Sequence, residues 1–245
     1  PYRPEHAAMA DKLVQEMHSN NGLAPLDLDQ FWRDQDIAEQ QPFGDNIPQV
    51  AFGGTLNHEC VFDELGIDID VWRYDHDPDW RLEINKRYND LAEQIVGRRI
   101  LSEERQDPTL KYPQIKGLHD VFESERVWRE DSWWLMPSAE TPRELEALLD
   151  RVEACDIRSF ILPDNWEEEK ARLTALGVKP GLYRGQRGPV TFATSVYGTE
   201  NLIFLIIENP ELAARFSHVI LNTMLEIGRV LDEEAGYTPE TAPHG

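Results

Sequence analysis

The sequence IRSFILPDNWEEEKARLTALGVKPGLYRGQRGPVTFAT, residues 157–194, decides the predicted fold. It begins with an apolar run, 157–162, of the kind found in buried parallel strands. A helical segment, 165–176, then ends at a glycine, and 181–194 contains a second predicted strand. Because parallel strands are joined by helical crossovers of this length, the alternation predicts an α/β fold with a parallel sheet.

The chain on both sides of this stretch carries further signals. Thr141 to Glu144 is a capping box, in which the threonine and glutamate side chains each bond a backbone amide of the other. Asp77-Pro78 starts a helix that Gly97 ends, and Asn209-Pro210 opens the longest helix, which Gly236 ends. The longest helix has a predicted apolar stripe made of Leu212, Phe216, Val219, Ile220, Thr223, Ile227 and Leu231. The other predicted elements are helices at 4–17, 58–65 and 200–207, a strand at 47–52 and an edge strand or hairpin within 127–136.

The composition is strongly acidic, with 46 Asp and Glu against 24 Lys and Arg and a formal charge of −22. Nucleic acids and acidic membranes attract basic surfaces, so we expect neither as a partner. An anionic substrate remains compatible, because a pocket can be locally basic. We expect no membrane helix, since no apolar run approaches the roughly 18 residues that a span requires, and no export signal, since the N-terminal stretch is not a charged-then-apolar leader. With only Cys60 and Cys155, the sequence predicts a reduced, cytoplasmic protein.

Three motifs after residue 187 carry a resemblance to a known family. They are GPVTFATS at 188–195, ENL at 200–202 and NPEL at 209–212. An ELGID segment at 64–68 follows the first predicted strand in the order that the family shows. In these motifs the chain resembles the N-terminal part of the uroporphyrinogen decarboxylase superfamily, over residues 47 to 236.

The resemblance implies a (β/α)8 TIM barrel with its site at the C-terminal ends of the strands. Residues 1–46 would be an N-terminal helical and irregular extension, and 47–245 the N-terminal portion of the barrel. Because about three strands are predicted where eight are needed, we expect an incomplete barrel in this chain. A second copy of the chain or a complementary barrel half would then cover the open sheet.

The resemblance also implies an enzyme acting on a small molecule, and it leaves the reaction open. One reaction is carboxyl removal from a tetrapyrrole-type or other acidic substrate, without an organic cofactor; it predicts an arginine-lined pocket. The other is zinc-dependent methyl transfer with a corrinoid protein or coenzyme M, which predicts three zinc ligands beyond residue 245. For either reaction we expect this chain alone to be inactive. A non-catalytic half-barrel that binds a ligand is the third alternative.

The loop after the first predicted strand supplies two candidate site residues. Loops at strand ends of barrels carry function, so Asn57 is predicted to bind substrate and His58 to act in catalysis. The alternative is that Asn57 caps a helix and His58 begins it. His58 and Cys60 have a spacing that zinc accepts, but two ligands do not make a site, and no metal ligand is assigned. The loop lacks the arginines that the decarboxylases carry here.

A second group of candidates lies at 184–201. Arg184 or Arg187 could hold a carboxylate bidentately, and Gln186 lies between them. Tyr197 is predicted to be catalytic, as a general acid or hydrogen-bond donor at the end of the strand, or alternatively a packed aromatic residue. Ser195 stands where the decarboxylases carry a tyrosine. The predicted substrate-binding residues of this group are Arg184, Arg187, Thr194, Ser195, Glu200 and Asn201.

Overall fold

The chain forms two compact units, Pro1–Arg105 and Gln106–Gly245. The computed structural model describes residues 4–22, 26–54, 56–105, 107–182 and 185–238. These residues are mostly helical, with twelve α-helices and one two-stranded hairpin.

The N-terminal unit contains five of the described helices. Three of them begin at an aspartate, Asp27, Asp70 or Asp77, whose carboxylate accepts a hydrogen bond from the amide three residues later. The helix bounds are α1 Pro4–Ser19, α2 Leu28–Gln40, α3 His58–Leu65, α4 Val71–His76 and α5 Pro78–Val96.

In this unit, buried side-chain amides make hydrogen bonds of the kind that a neighbouring β-strand would make. Gln35 of α2 accepts from the Phe52 amide at 2.8 Å and donates to the Phe52 carbonyl at 2.6 Å, as a neighbouring strand would. Asn89 of α5 accepts from the amides of Ile100 and Leu101 at 3.0 and 2.9 Å and donates to the Leu101 carbonyl. These side chains supply hydrogen-bond partners to backbone groups of irregular segments that pair with no strand.

The C-terminal unit contains seven of the described helices. The longest, opened by Asn209 as the cap and Pro210 in its first turn, lies at the centre of the unit. The bounds are α6 Leu118–Val121, α7 Pro142–Glu153, α8 Ile157–Ile161, α9 Trp166–Ala175, α10 Pro189–Tyr197, α11 Thr199–Glu208 and α12 Pro210–Ala235, with a 3-10 turn at Pro108–Leu110.

The hydrophobic core of this unit forms around α12. Its predicted apolar stripe is confirmed, because each of its members is buried. Helices α7, α8, α10 and α11 all contact α12, and Leu145, Leu148 and Leu149 of α7 have no exposed surface. The buried stripe of α12 consists of Leu212, Phe216, Val219, Ile220, Thr223, Ile227 and Leu231.

A β-hairpin follows α6, as the segment 127–136 predicted. Strands β1 (Arg126–Arg129) and β2 (Ser132–Leu135) pair antiparallel, with Trp128 opposite Trp133. The two turn residues, Glu130 and Asp131, both have positive φ, which matches the twist of a two-residue hairpin loop.

The predicted α/β barrel is wrong. The described residues contain no β/α barrel, and the hairpin is their only sheet. Residues 47–52 form no regular secondary structure, and Gln35 supplies the hydrogen bonds that a neighbouring strand would give to Phe52. Consequently there are no barrel strand ends on which to place the predicted site.

Neither of the two strands predicted within 157–194 forms among the described residues, and most of the two segments is helical. The run from 157 is helix α8, and the Asp156 carboxylate caps its first turn by accepting from the Ser159 amide at 3.0 Å. A short apolar run has no periodicity that separates a buried strand from a buried helix. Residues 189–197 are helix α10, with Pro189 in the first turn, where its missing N–H leaves no bond unmade.

Candidate functional site

The C-terminal unit contains an open cavity with two lobes. The larger has a volume of about 670 Å³ and reaches Ile227 and Leu231 of α12. The smaller has a volume of about 310 Å³ and reaches Trp133 of the hairpin and Phe192 of α10. The lobes adjoin, since both are lined by Gly117, Leu118, His119, Arg126, Gly185 and Gln186.

Cationic residues outnumber acidic ones in the lining. Lys116, Arg126 and Arg187 line the cavity, against the two carboxylates Asp120 and Glu125. In the whole chain the ratio is reversed, with 46 acidic and 24 basic residues. The cavity is therefore a locally basic region of an acidic protein, and it would concentrate an anion that the rest of the surface repels.

The three cations contact neutral groups. The Lys116 ammonium lies 4.2 Å from the centre of the Phe160 ring, and the Arg126 guanidinium 4.6 Å from that of Trp133. Arg187 donates to the Ser195 hydroxyl at 2.9 Å. Aromatic rings and a hydroxyl orient these side chains without neutralising them, so their charge remains available to a ligand.

The segment 117–120 brings an imidazole to the cavity. The Gly117 amide donates to Asp120 Oδ2 at 2.7 Å, which closes the first turn of α6. A Cβ atom at Gly117 would lie 3.1 Å from His119 Nδ1, so the absence of a side chain at residue 117 leaves room for the imidazole. The His119 carbonyl accepts from the Ser124 amide at 2.8 Å, which fixes the backbone at this point.

Burial lowers the pKa of His119 below its ordinary value. The neighbouring Asp120 carboxylate, 3.4 Å from Nε2, opposes this effect, and Arg126 adds to it. The imidazole is therefore neutral at neutral pH, with one nitrogen able to donate and the other able to accept a proton.

Of the predicted site residues, Asn57 and His58 lie in the N-terminal unit. Asn57 precedes α3 in extended conformation, without a capping bond from its side chain. His58 is the first residue of α3, and its ring centre lies 4.7 Å from that of Tyr74. The barrel loop on which both predictions relied does not exist, and neither residue lines the cavity described above.

The predicted site residues of α10 mainly pack in the core or form hydrogen bonds within the helix. Tyr197 is buried against Phe216, and burial raises the pKa of its hydroxyl, so it has no open path to a ligand. Thr194 donates to the Thr191 carbonyl within the helix. Ser195 also donates to Thr191, and it reaches the cavity only through Arg187.

The remaining candidates lie at α11 and in the segment before α10. Glu200 is in the first turn of α11, where a carboxylate interacts favourably with the helix dipole. Asn201 donates to the carbonyls of Tyr197 and Glu140 and so joins α11 to the loop before α7. Arg184 lies outside the described residues. Arg187 is the predicted binding residue that the structure does place at the cavity.

Sequence reasoning missed Lys116, His119 and Arg126 as site residues. Their one local signal was Gly117 followed by Asp120, the spacing of a helix start, just before the hairpin. A barrel interpretation directed attention to predicted strand ends and away from this segment. The residues of the cavity come from three parts of the chain, 114–135, 185–192 and 227–231, which no local pattern brings together.

Neither a metal site nor a single membrane-spanning helix is found in the described part of the chain. No group of three or more His, Cys, Asp or Glu side chains is arranged there to hold a metal ion. No described helix alone has the length and apolar character to cross a membrane, although α10 and α11 together satisfy both as a pair bent by 101°.

Comparisons with known proteins give no match at any of three levels. No protein-family model matches the sequence, no curated protein matches it, and no solved structure matches the fold. The function proposed next therefore depends on the geometry and chemistry of the cavity.

Proposed function

We propose that the C-terminal unit binds an acidic small molecule in the cavity between the hairpin, α6 and α12. The observation that carries this proposal is the reversal of charge at the cavity, which Lys116, Arg126 and Arg187 line in a chain of net charge −22. Arginine presents a fork of donors that fits a carboxylate or phosphate, and an anion bound between such groups gains charge-assisted hydrogen bonds.

The walls indicate that the acid has an apolar part. Leu118, Trp133, Leu135 and Phe192 line the smaller lobe. Leu118, Ile227 and Leu231 line the larger lobe. An organic acid would place its carboxylate near Arg126 and its hydrocarbon or ring against these side chains, which is the usual arrangement in small-molecule pockets.

Carboxyl removal is the reaction that we propose to test on such an acid. It was expected to need an arginine-lined pocket, and Arg126 and Arg187 supply two arginines to this one. In that reaction the bond from the carboxyl carbon to the substrate breaks, carbon dioxide leaves, and the substrate carbon takes up one proton. His119 lies at the cavity and could carry that proton once its imidazole has taken one from solvent.

The test is a titration of the whole chain with indole-3-acetate, a compact aromatic acid, followed by calorimetry. We expect saturable binding that weakens with added salt, since the attraction is electrostatic. Arg126→Gln should weaken binding by about tenfold, the effect of losing a charge-assisted hydrogen bond. Arg129→Gln, on the same hairpin but outside the cavity lining, is the matched control and should bind as the unmodified chain does.

Two results would overturn the proposal. One is that indole-3-acetate does not bind at all. The other is that Arg126→Gln and Arg129→Gln change the affinity equally, since the loss would then reflect net charge and not the cavity. To test the reaction, the release of carbon dioxide from the bound acid is measured for the unmodified chain and for His119→Asn.

A further inference from the structure

Gln186 has an unusual environment within the cavity. It lines both lobes, and its side-chain oxygen Oε1 is buried without accepting a hydrogen bond from any described residue. Buried polar atoms of native proteins almost always have a partner, so an exception calls for an explanation such as a bound ligand or water. Gln35, the buried glutamine of the N-terminal unit, has its oxygen and nitrogen both bonded.

The cavity therefore offers two kinds of polar group to a ligand. Lys116, Arg126 and Arg187 only donate hydrogen bonds, and they suit an anionic oxygen. Gln186 Oε1 only accepts; it is closed to solvent in this conformation, and a rotation of the side-chain amide would present it to an N–H or O–H group of a ligand. A ligand that satisfies both must carry an acid group and, separately, a neutral hydrogen-bond donor.

We propose that the ligand is an apolar or aromatic acid bearing an N–H or O–H group that donates to Gln186. This inference rests on the proposed binding of an acid in the same cavity, and it adds the substrate class. Trp133 and Phe192 line the smaller lobe together with Gln186, so the donor belongs on or beside the apolar part of the ligand. A site built around a hydrogen bond rejects the analogue that lacks it, because its own group is then left without a partner.

The test compares indole-3-acetate with benzofuran-3-acetate. The two acids have the same ring framework and the same carboxylate, but the indole has an N–H where the benzofuran has an oxygen. We expect the unmodified chain to bind the indole acid about tenfold more tightly. Gln186→Met, which keeps the length of the side chain and removes the acceptor, should bring the two affinities together.

The outcomes separate this inference from the proposed function. If both acids bind equally, or the benzofuran binds more tightly, and Arg126→Gln still weakens both, the cavity binds acids and the role of Gln186 is wrong. If neither acid binds, or Arg126→Gln has no effect, the proposed function itself is wrong and the inference falls with it.

A stability measurement excludes a purely structural role for Gln186. Removing a buried acceptor that has no donor should not lower the melting temperature, so Gln186→Met is expected to melt at or above the temperature of the unmodified chain. Gln35→Met is the matched control, because it removes an amide whose partners are present, and it should lower the melting temperature of its unit. A decrease for Gln186→Met as large as that for Gln35→Met would overturn the inference.

Discussion

Two groups of cationic side chains in the C-terminal unit have opposite surroundings. Arg158 and Lys170 both contact Glu234 of α12, whose side chain is 4% exposed and also accepts from the Trp166 indole at 2.6 Å. At the cavity, Lys116 and Arg126 instead contact the faces of aromatic rings. Cations that face a buried carboxylate hold helices together, whereas cations that face neutral groups retain a charge for a ligand. Substitutions in the two groups should therefore have opposite effects on stability and on ligand binding.

The largest effect is expected at the buried carboxylate. Glu234→Gln leaves Lys170 without its counter-charge and leaves Arg158 paired only with the exposed Glu167, so the free energy of unfolding should fall by about 3 kcal/mol, the cost of breaking a buried ion pair. Urea unfolding measures this. Glu233→Gln is the matched control, because Glu233 pairs with Arg229 at the surface and both side chains are about half exposed. It should cost less than about 0.5 kcal/mol. Equal losses of unfolding free energy in the two variants would contradict the difference between structural and ligand-binding cations.

A pH effect of similar size is expected from the same residue. Burial opposes ionisation of Glu234, but hydrogen bonds from Lys170, Trp166 and Arg158 outweigh it and lower its pKa to about 2. A carboxyl whose pKa is lowered by folding stabilises the protein above its ordinary pKa, near 4.5. That stabilisation should be lost as the pH falls from 4.5 towards 2. The difference in unfolding free energy between the unmodified chain and Glu234→Gln should therefore shrink across this window. A constant difference would argue against the low pKa.

The cavity cations should behave in the opposite way. Arg126→Gln is expected to change the free energy of unfolding by less than about 0.5 kcal/mol, because an exposed guanidinium beside a ring adds little to stability. Its affinity for indole-3-acetate should nevertheless fall about tenfold. Urea unfolding and calorimetry on one preparation give both values. A loss of stability comparable to that of Glu234→Gln would make Arg126 a structural residue.

The smallest effect is expected from His119. Because burial lowers its pKa, the imidazole is neutral near pH 7, and acidification adds a positive charge to the cavity. Affinity for indole-3-acetate should rise a few-fold as the pH falls below about 6.5, with proton uptake on binding. Calorimetry in two buffers of different ionisation enthalpy measures that uptake. His119→Asn should abolish it, whereas His218→Asn on α12, outside the cavity lining, should not.

The sequence predicted most helix boundaries, because caps are local. The box at Thr141 and Glu144 forms as expected, with the Glu144 amide donating to Thr141 and the Thr141 amide to Glu144. Gly97 ends α5 at φ 69°, a conformation that suits glycine. Each signal and its consequence lie within a few residues, so no knowledge of the remaining chain is needed.

Burial on α5 could not be predicted in the same way. Ile84, Tyr88, Leu91 and Ile95 recur at helical spacing along α5, but Ile95 is 59% exposed, and Asn85 and Asn89 are buried instead. The asparagines are buried because they bond the segment 100–102, whose backbone needs partners. Which helix face contacts such a segment depends on the tertiary structure and not on the spacing of residues along the helix.

The sequence by itself determined the acidic balance of the chain, the hairpin, the caps and the apolar stripe of α12. These properties follow from composition or from residues close together along the chain. Only the tertiary structure decided that the apolar run at 157 is a helix rather than a strand, since packing and hydrogen-bond partners choose between the two. The tertiary structure also determined which residues form the candidate site. Lys116, Arg126, Gln186 and Arg187 form one cavity because folding brings distant segments together, and no local spacing encodes that contact.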